Sequence, residues 1–277
     1  MLVARLKRLI FTFALAISPW ICAQDGTDTA ANSLEIRVVT SGGFASAYET
    51  LAPLFEQQTG MSLQVEYGSS GGGAIDSIPM RLNRNEAFDV VILSQAGLNS
   101  LIQQNKVIRD SAVDLVYSKI GMAVREGRAV PDISTPQAFR ATLLAAESIA
   151  YSASVSGTYL AETLWPAMGI WEQLQGKSTR ILSERVGSVI ARDEADLGFQ
   201  QISELLPIEG IVFVGPIPDE YQLVSTFSAG IVQTSENKDA AEKLLGFLSS
   251  RQAAPLIEAQ GLEAVISTTA QSRSGNF

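Results

Sequence analysis

The chain has 277 residues, of which 46% are hydrophobic and 18% charged, and its formal net charge is −9. This composition is typical of a globular protein with a sizeable core, divided into one large or two medium domains. The acidic balance, without any basic stripe, argues against nucleic acid as a partner.

The N-terminal stretch has the layout of a secretory signal peptide. Arg5, Lys7 and Arg8 precede the apolar run 9–17, which is too short for a comfortable membrane span. We predict a signal peptide over residues 1–23, cleaved after Ala23, and therefore an exported protein. Processing as a lipoprotein at Cys22 is the alternative, although Pro19-Trp20-Ile21 makes a poor lipobox.

Cleavage after Ala23 would leave 17 Lys and Arg residues against 29 Asp and Glu, a net charge of −12, with no cysteine and no histidine. That absence excludes a disulfide framework, a thiol nucleophile, a Cys/His zinc site and a Ser–His–Asp triad. No metal and no cofactor are expected. Catalysis, if any, would use carboxylates, Tyr, Lys, Arg or backbone dipoles.

Strand and helix patterns then alternate along the chain. Alternating or continuous apolar patterns predict strands at 34–40, 61–67, 88–94, 120–124, 148–152, 179–182, 195–199, 210–215 and 225–232. Helical spacing and capping residues predict helices at 44–59, from 74, at 98–105 and 136–146, from about 158, and at 189–194, 203–206 and 239–250. This alternation predicts an α/β fold whose ligand site lies outside the C-terminal ends of the strands.

Four strand–helix joins combine hydroxyl groups with glycines. Helix N-termini at such joins present free N–H groups and a positive dipole end to anions, and glycine permits close backbone approach. The predicted anion-binding residues are Ser41, Gly42, Gly43, Ser69, Ser70, Gly71, Ser154, Ser156, Gly187 and Ser188. The alternative is that the Gly-rich loops are merely turns.

Two neighbouring amides, Gln200 and Gln201, join this predicted set. Adjacent amides at a strand end are unusual in a core, where each must find hydrogen-bond partners. Arg81 and Arg84 could reach a carboxylate as bidentate donors, or could remain solvated helix charges.

Several stretches, in their order and spacing over residues 34–266, resemble the molybdate-binding-like branch of bacterial periplasmic solute-binding proteins. They are Thr40-Ser-Gly-Gly-Phe, Phe55-Glu-Gln-Gln-Thr-Gly60, Gly68-Ser-Ser-Gly-Gly, Glu86-Ala-Phe-Asp-Val-Val-Ile, Ala195-Asp-Leu-Gly-Phe and Ala240-Ala-Glu-Lys-Leu-Leu-Gly-Phe-Leu-Ser. The resemblance implies an α/β, two-lobed type II periplasmic-binding-protein fold with two crossover strands. Lobe 1 would comprise residues 34–115 plus 219–277, and lobe 2 residues 116–218.

The same resemblance implies the substrate-binding protein of an ABC-type transporter. Such a protein, expected to be a monomer, would capture a small anion between the lobes and work with a membrane permease and ATPase. The ligand would be a molybdate-like oxyanion or an organic carboxylate. Gln201 stands where the family's molybdate binders carry Tyr, and an amide, being acceptor as well as donor, suits an organic carboxylate better.

Periplasmic aconitate isomerases resemble this branch too, which implies an enzymatic alternative. The reaction would interconvert trans- and cis-aconitate by proton transfer at a carbon next to carboxylates. It needs a base and a cluster of donors for the developing charge. Candidate bases are Glu66, Tyr67, Tyr151 and Glu204, and the sequence does not choose among them.

Overall fold

The computed structural model describes residues 34–71 and 73–266, so the predicted signal peptide lies outside the described residues. The strands are β1 (Glu35–Thr40), β2 (Ser62–Tyr67), β3 (Val90–Ser94), β4 (Val113–Ser118), β5 (Ile120–Arg125), β6 (Ile149–Ser152), β7 (Ser178–Ile181), β8 (Leu197–Gln201), β9 (Ile211–Pro216), β10 (Ser225–Ile231) and β11 (Glu263–Ala264).

The α-helices are α1 (Gly42–Thr59), α2 (Ile78–Asn83), α3 (Gln95–Gln103), α4 (Pro136–Ala145), α5 (Val155–Tyr159), α6 (Trp165–Ala167), α7 (Trp171–Leu174), α8 (Val186–Ala191), α9 (Ile202–Leu205), α10 (Lys238–Leu248) and α11 (Ala254–Glu258). A π-helical turn, Leu160–Leu164, joins α5 to α6. Short 3₁₀ turns occur at Arg109–Ser111, Gln175–Lys177 and Asp219–Tyr221. Among the residues described, no helix has the length and apolar character that crossing a bilayer requires.

The first sheet has the strand order β11-β4-β10-β3-β1-β2. This sheet contains both parallel and antiparallel pairs: β1 runs parallel to β2 and β3, whereas β10 runs antiparallel to β3 and β4. Every residue of β3 is buried, as its continuous apolar pattern predicted. Helix α1 buries Phe44, Tyr48, Leu51 and Phe55 in the core against this sheet.

The second sheet has the strand order β7-β6-β8-β5-β9. Strand β6 runs parallel to β7 and β8, and β5 runs antiparallel to β8 and β9. Its core contains Phe139, Trp165 and Phe199, whose rings meet edge to face at centroid separations of 6.0 and 6.1 Å. Each sheet therefore has a hydrophobic core of its own.

The chain passes between the sheets twice. It leaves β4 at Ser118 and enters β5 at Ile120, and it returns between β9 and β10. The first lobe boundary expected from the sequence, at 115/116, falls inside β4, and the lobe assignment stays a prediction. Gln201 lies where the passages meet, since it accepts a hydrogen bond from the Ser118 hydroxyl at 2.8 Å and donates one to the Ser225 hydroxyl at 3.4 Å.

Several local predictions are wrong. The helix expected at 189–194, for example, is α8, which begins three residues earlier at Val186. Strand β4 was missed, although it buries Leu115 and Val116. The helix expected from residue 74 begins at Ile78. Gly73 has a left-handed backbone (φ 76°), and Pro79, the second residue of α2, fits only the first turn of a helix.

The helix expected from about residue 158 begins at Val155, which places Ser156 inside it. A Cβ at Gly157 would overlap the Ser152 carbonyl oxygen, so only glycine fits this tight join between β6 and α5.

Candidate functional site

A cavity of about 330 Å³ opens between loops and helix ends that follow the strands of both sheets. Most of the residues predicted to bind an anion line it: Ser41, Gly42, Gly43, Ser69, Ser154, Ser156, Gln200 and Gln201. Among the described residues, no group of acidic side chains has the arrangement of a metal site. The arrangement is thus a polar, hydroxyl-rich cleft between the two sheets.

Four predicted residues lie elsewhere. Ser70 and Gly71 line a neighbouring cavity of about 380 Å³, and the Ser70 hydroxyl accepts a hydrogen bond from the Ser94 N–H at 2.9 Å, which braces the loop against β3. Gly187 and Ser188 lie inside α8, where a Cβ on Gly187 would come within 2.9 Å of Ile208. Neither lines the main cavity.

The first join, between β1 and α1, forms the floor of the cavity. Ser41 is the N-terminal cap residue and is 2% exposed, yet its hydroxyl has no hydrogen-bond partner within the described chain. The N–H groups of Gly42 and Gly43 belong to the first helical turn, where no intrahelical acceptor exists. These groups together offer hydrogen bonds to an anion.

Glu204, in α9, lies against this helix end. The Glu204 carboxylate lies so close to Gly42 that a Cβ at this position would overlap it. Packing against Glu204 is therefore a second reason for glycine at position 42. Helix α9 is fixed there by two hydrogen bonds: the Ser203 hydroxyl donates to the Gly43 carbonyl at 2.8 Å, and the Ser46 hydroxyl donates to the Ser203 carbonyl at 3.1 Å.

Burial raises the pKa of Glu204 to about 7, even though the charge of Arg185 and a hydrogen bond from Gln200 act to lower it. The Gln200 amide donates to the Glu204 carboxylate at 2.5 Å, while its oxygen accepts from the Val186 N–H at 2.8 Å. Gln200 therefore orients the carboxyl group and ties it to the start of α8. A carboxyl group with a pKa near neutrality is suited to proton transfer.

Arg185 is the N-terminal cap residue of α8, and it lines the cavity. From the sequence, Gly187 and Ser188 were expected to line the cavity at this helix instead. The other charged residues of the described lining are acids. Of these, Glu184 is held by Arg192 through two hydrogen bonds of 3.0 Å, and Glu49 accepts a hydrogen bond of 3.0 Å from the Tyr67 hydroxyl. Arg185 is thus the one positive charge among the described lining residues.

The other base candidates are less well placed. Glu66 pairs with Arg37 and Arg81 and does not line the cavity. Tyr151 packs edge to face on Trp165 at 5.4 Å, and burial raises its pKa.

Tyr67 lies at the mouth, where burial and its hydrogen bond to Glu49 raise its pKa to about 12. Neither Arg81 nor Arg84 lines the cavity, and both pair with Glu86. Of the two alternatives drawn from the sequence, their positions therefore favour charges on the helix face over contact with a ligand carboxylate.

The fold and cleft are those of a solute-binding protein. The family model for bacterial extracellular solute-binding proteins matches residues 36–263, and the chain belongs to that family. Members of this class bind small ligands in the periplasm and usually work with ABC transporters. The two-lobed type II architecture and the resemblance to molybdate-binding-like proteins are confirmed.

One relative is close in sequence. The chain is 42% identical over 251 residues to an aconitate isomerase from a Pseudomonas species, covering 91% of this chain and 93% of the relative. Two solved structures share the fold at lower identity. The periplasmic molybdate-binding protein of Azotobacter vinelandii has a TM-score of 0.64 at 22% identity, over 84% of this chain and 99% of that one. The sulfate-binding protein of Mycobacterium tuberculosis has a TM-score of 0.68 at 18% identity, over 84% and 87%.

Proposed function

We propose that this protein is an isomerase that interconverts trans- and cis-aconitate by moving a proton within the bound tricarboxylate. The observation that carries the proposal is the buried Glu204 carboxyl group at the cavity, with its pKa raised to about 7. The similarity to an aconitate isomerase over nearly the full length of both chains supports the same reaction. The order of the two hypotheses drawn from the sequence is thereby reversed.

The chemistry requires one base and no redox step. Aconitate carries a CH₂ group between a carboxylate and the carbon–carbon double bond. In its ionised form Glu204 takes a proton from this carbon, and the electron pair spreads over the three-carbon system and the adjacent carboxylates. Return of the proton to the former vinyl carbon moves the double bond by one position. The conformation in which the cavity holds the carboxymethyl arm then decides whether the new double bond is cis or trans.

The developing negative charge needs donors that are already in place. The Glu204 carboxylate lies against Gly42, whose chain neighbours are Ser41, with its unpartnered hydroxyl, and Gly43, whose N–H also belongs to the first helical turn. Donors fixed in advance stabilise such charge more than mobile water does, because they need no reorganisation during the reaction. The base and the charge-stabilising groups thus line the same cavity.

The direct test is to add trans-aconitate to the purified protein in D₂O and follow formation of cis-aconitate and uptake of deuterium by proton NMR. Glu204→Gln keeps the hydrogen bond to Gln200 but cannot take a proton, so we expect a loss of about 10² to 10⁴ in kcat. The matched control is Glu209→Gln, an exposed residue outside the cavity on the following segment, which should retain the wild-type rate.

The pH dependence gives a second readout of the same base. Because the base must be ionised, kcat/KM of the wild type should rise with pH and level off above about 7, the pKa of Glu204. A Glu204→Gln variant with wild-type turnover would eliminate Glu204 as the base.

A transport role is the second candidate, favoured by the family and by the neutral donors in the cleft. In that case the protein would bind a small anion, with or without carboxylates, and deliver it to a membrane permease and ATPase. Tight binding of trans-aconitate without conversion would decide for this role. Tight binding of molybdate, tungstate or sulfate, with no response to tricarboxylates, would decide for an inorganic oxyanion.

A further inference from the structure

We infer that Arg185 binds a carboxylate of the substrate as a bidentate donor and selects polycarboxylates over monocarboxylates and uncharged ligands. This inference rests on the function proposed for the same cavity. It assigns a role to a residue whose position in the cleft the sequence did not reveal.

The Arg185 side chain is unpaired within the described residues. No hydrogen bond or ion pair to it is found within the described part of the chain, although it is partly buried. Its neighbour Glu184, the nearest acid in sequence, is instead held on both oxygens by Arg192. A guanidinium group left free in a cleft has five N–H donors in a planar fork, a geometry that matches a carboxylate.

Acidic residues outnumber basic ones in the described lining of the cavity. The exposed acids Glu49, Asp76 and Glu184 are around it, and Glu204 lies at its floor. Without Arg185, the charged side chains of the described lining would all be negative and would repel a tricarboxylate. A small oxyanion can be held by neutral hydroxyl and N–H donors alone, whereas a substrate with several carboxylates gains from a cation.

The position of Arg185 is coupled to that of Glu204. Arg185 precedes Val186, whose N–H is bound by Gln200, and Gln200 also donates to Glu204. A short chain of hydrogen bonds therefore fixes the backbone that carries the guanidinium relative to the base. The Arg185 charge is close enough to lower the pKa of both Glu204 and Tyr67 against the effect of burial. A carboxylate bound by Arg185 would hold the neighbouring carbon near the base.

The test uses Arg185→Gln and Arg185→Lys in the full chain, with tricarballylate as the binding probe. Tricarballylate is the saturated tricarboxylate of the same skeleton and cannot be isomerised, so its binding by calorimetry does not depend on turnover. We expect Arg185→Gln to weaken it about 10- to 100-fold, as loss of a charge-assisted hydrogen-bonded pair does. Arg185→Lys keeps the positive charge but not the planar pair of N–H donors. Its affinity for tricarballylate should lie between those of the wild type and Arg185→Gln. The control Arg251→Gln removes the same charge from an exposed site outside the cavity and should bind as the wild type does.

Steady-state kinetics and pH supply a readout that a merely structural role would not move. With Arg185→Gln, KM for trans-aconitate should rise by a factor similar to that for binding. The rise of kcat/KM with pH should move to higher pH, because the positive charge no longer lowers the pKa of Glu204. Binding of propionate, a monocarboxylate, should change by a smaller factor than binding of tricarballylate.

The outcomes separate the two proposals. Wild-type affinity for tricarballylate in Arg185→Gln would overturn the inference, even if the enzyme isomerises aconitate. Weakened tricarballylate binding in a protein that never converts aconitate would uphold the inference and remove the isomerase. If Arg185→Gln does not fold, Arg185→Lys decides: unchanged binding overturns the inference, and an intermediate loss supports it.

Discussion

Two buried polar groups at the cavity are costly for the folded chain. The Ser41 hydroxyl lacks a partner within the described residues, and Glu204 keeps a carboxyl group away from water. Unsatisfied or desolvated polar groups cost free energy, and apolar side chains of similar size would avoid that cost. Because both groups line the same cleft, their presence there is consistent with a ligand that restores the missing interactions.

Replacement of Ser41 by Ala should leave the free energy of unfolding within about 0.5 kcal/mol of the wild type, since no hydrogen bond is lost. Affinity for trans-aconitate should fall about 5- to 10-fold, the effect of one hydrogen bond. Urea unfolding and calorimetry measure the two quantities. Ser178→Ala is the matched control, because its hydroxyl is also buried without a partner but lies outside the cavity. Equal binding by both variants would rule out a ligand contact by Ser41.

The elements that frame the cleft differ in how they contribute. Helix α1 is 18 residues long and has free N–H groups in its first turn, whereas α5 and α8 are one to two turns long. At α8 the first N–H is already bound by Gln200. The idea of four equivalent helix ends, drawn from the sequence, is therefore too simple: α1 supplies a helix terminus, and α8 supplies the side chain of its cap residue.

The join between β6 and α5 should be the least tolerant of substitution. Gly157→Ala would place a methyl group on the Ser152 carbonyl oxygen, so we expect a loss of about 2 kcal/mol or more in the free energy of unfolding. Gly246→Ala should do the opposite. Gly246 is exposed in α10 with open space around its Cα, and alanine there should add about 0.5 to 1 kcal/mol. Urea titration of both variants tests the contrast, and equal stability of the two would refute the tight join.

The ligand cavity lies where the chain passes between the two sheets, each of which has its own hydrophobic core. Gln201 links the ends of β4 and β10, and α9 docks on the start of α1, so contacts from both sheets meet beside the cavity. A ligand held there would touch elements of both sheets at once. Its binding should therefore stabilise the molecule as a whole.

Addition of tricarballylate at about 100 times its Kd should contribute about 2.7 kcal/mol to folded-state stability. For a chain of this size that corresponds to a rise in Tm of about 5 to 10 °C. Thermal unfolding with and without the ligand measures it, and propionate at the same concentration serves as the control. No shift with tricarballylate, trans-aconitate or any of the inorganic oxyanions would argue against a solute-binding cavity of any kind.

Several features could be read from the sequence alone because they depend on local patterns. Apolar periodicity located β1, β3, β5 and β10, and the hydroxyl and glycine residues after β1 marked the join that forms the cavity floor. The absence of histidine, together with a single cysteine that falls inside the predicted signal peptide, restricted the expected chemistry to carboxylates and similar groups. The family resemblance supplied the two-lobed fold and both functional hypotheses.

Only the tertiary structure decided which side chains face the cleft. Which of the four candidate bases is a buried carboxyl group at the cavity depends on packing between distant segments, such as α9 against α1, and no local pattern encodes it. The same holds for Arg185, which differs from the other arginines by what its neighbours pair with rather than by its sequence context. Burial and pairing are properties of the assembled fold, so they became visible only when distant segments were brought together.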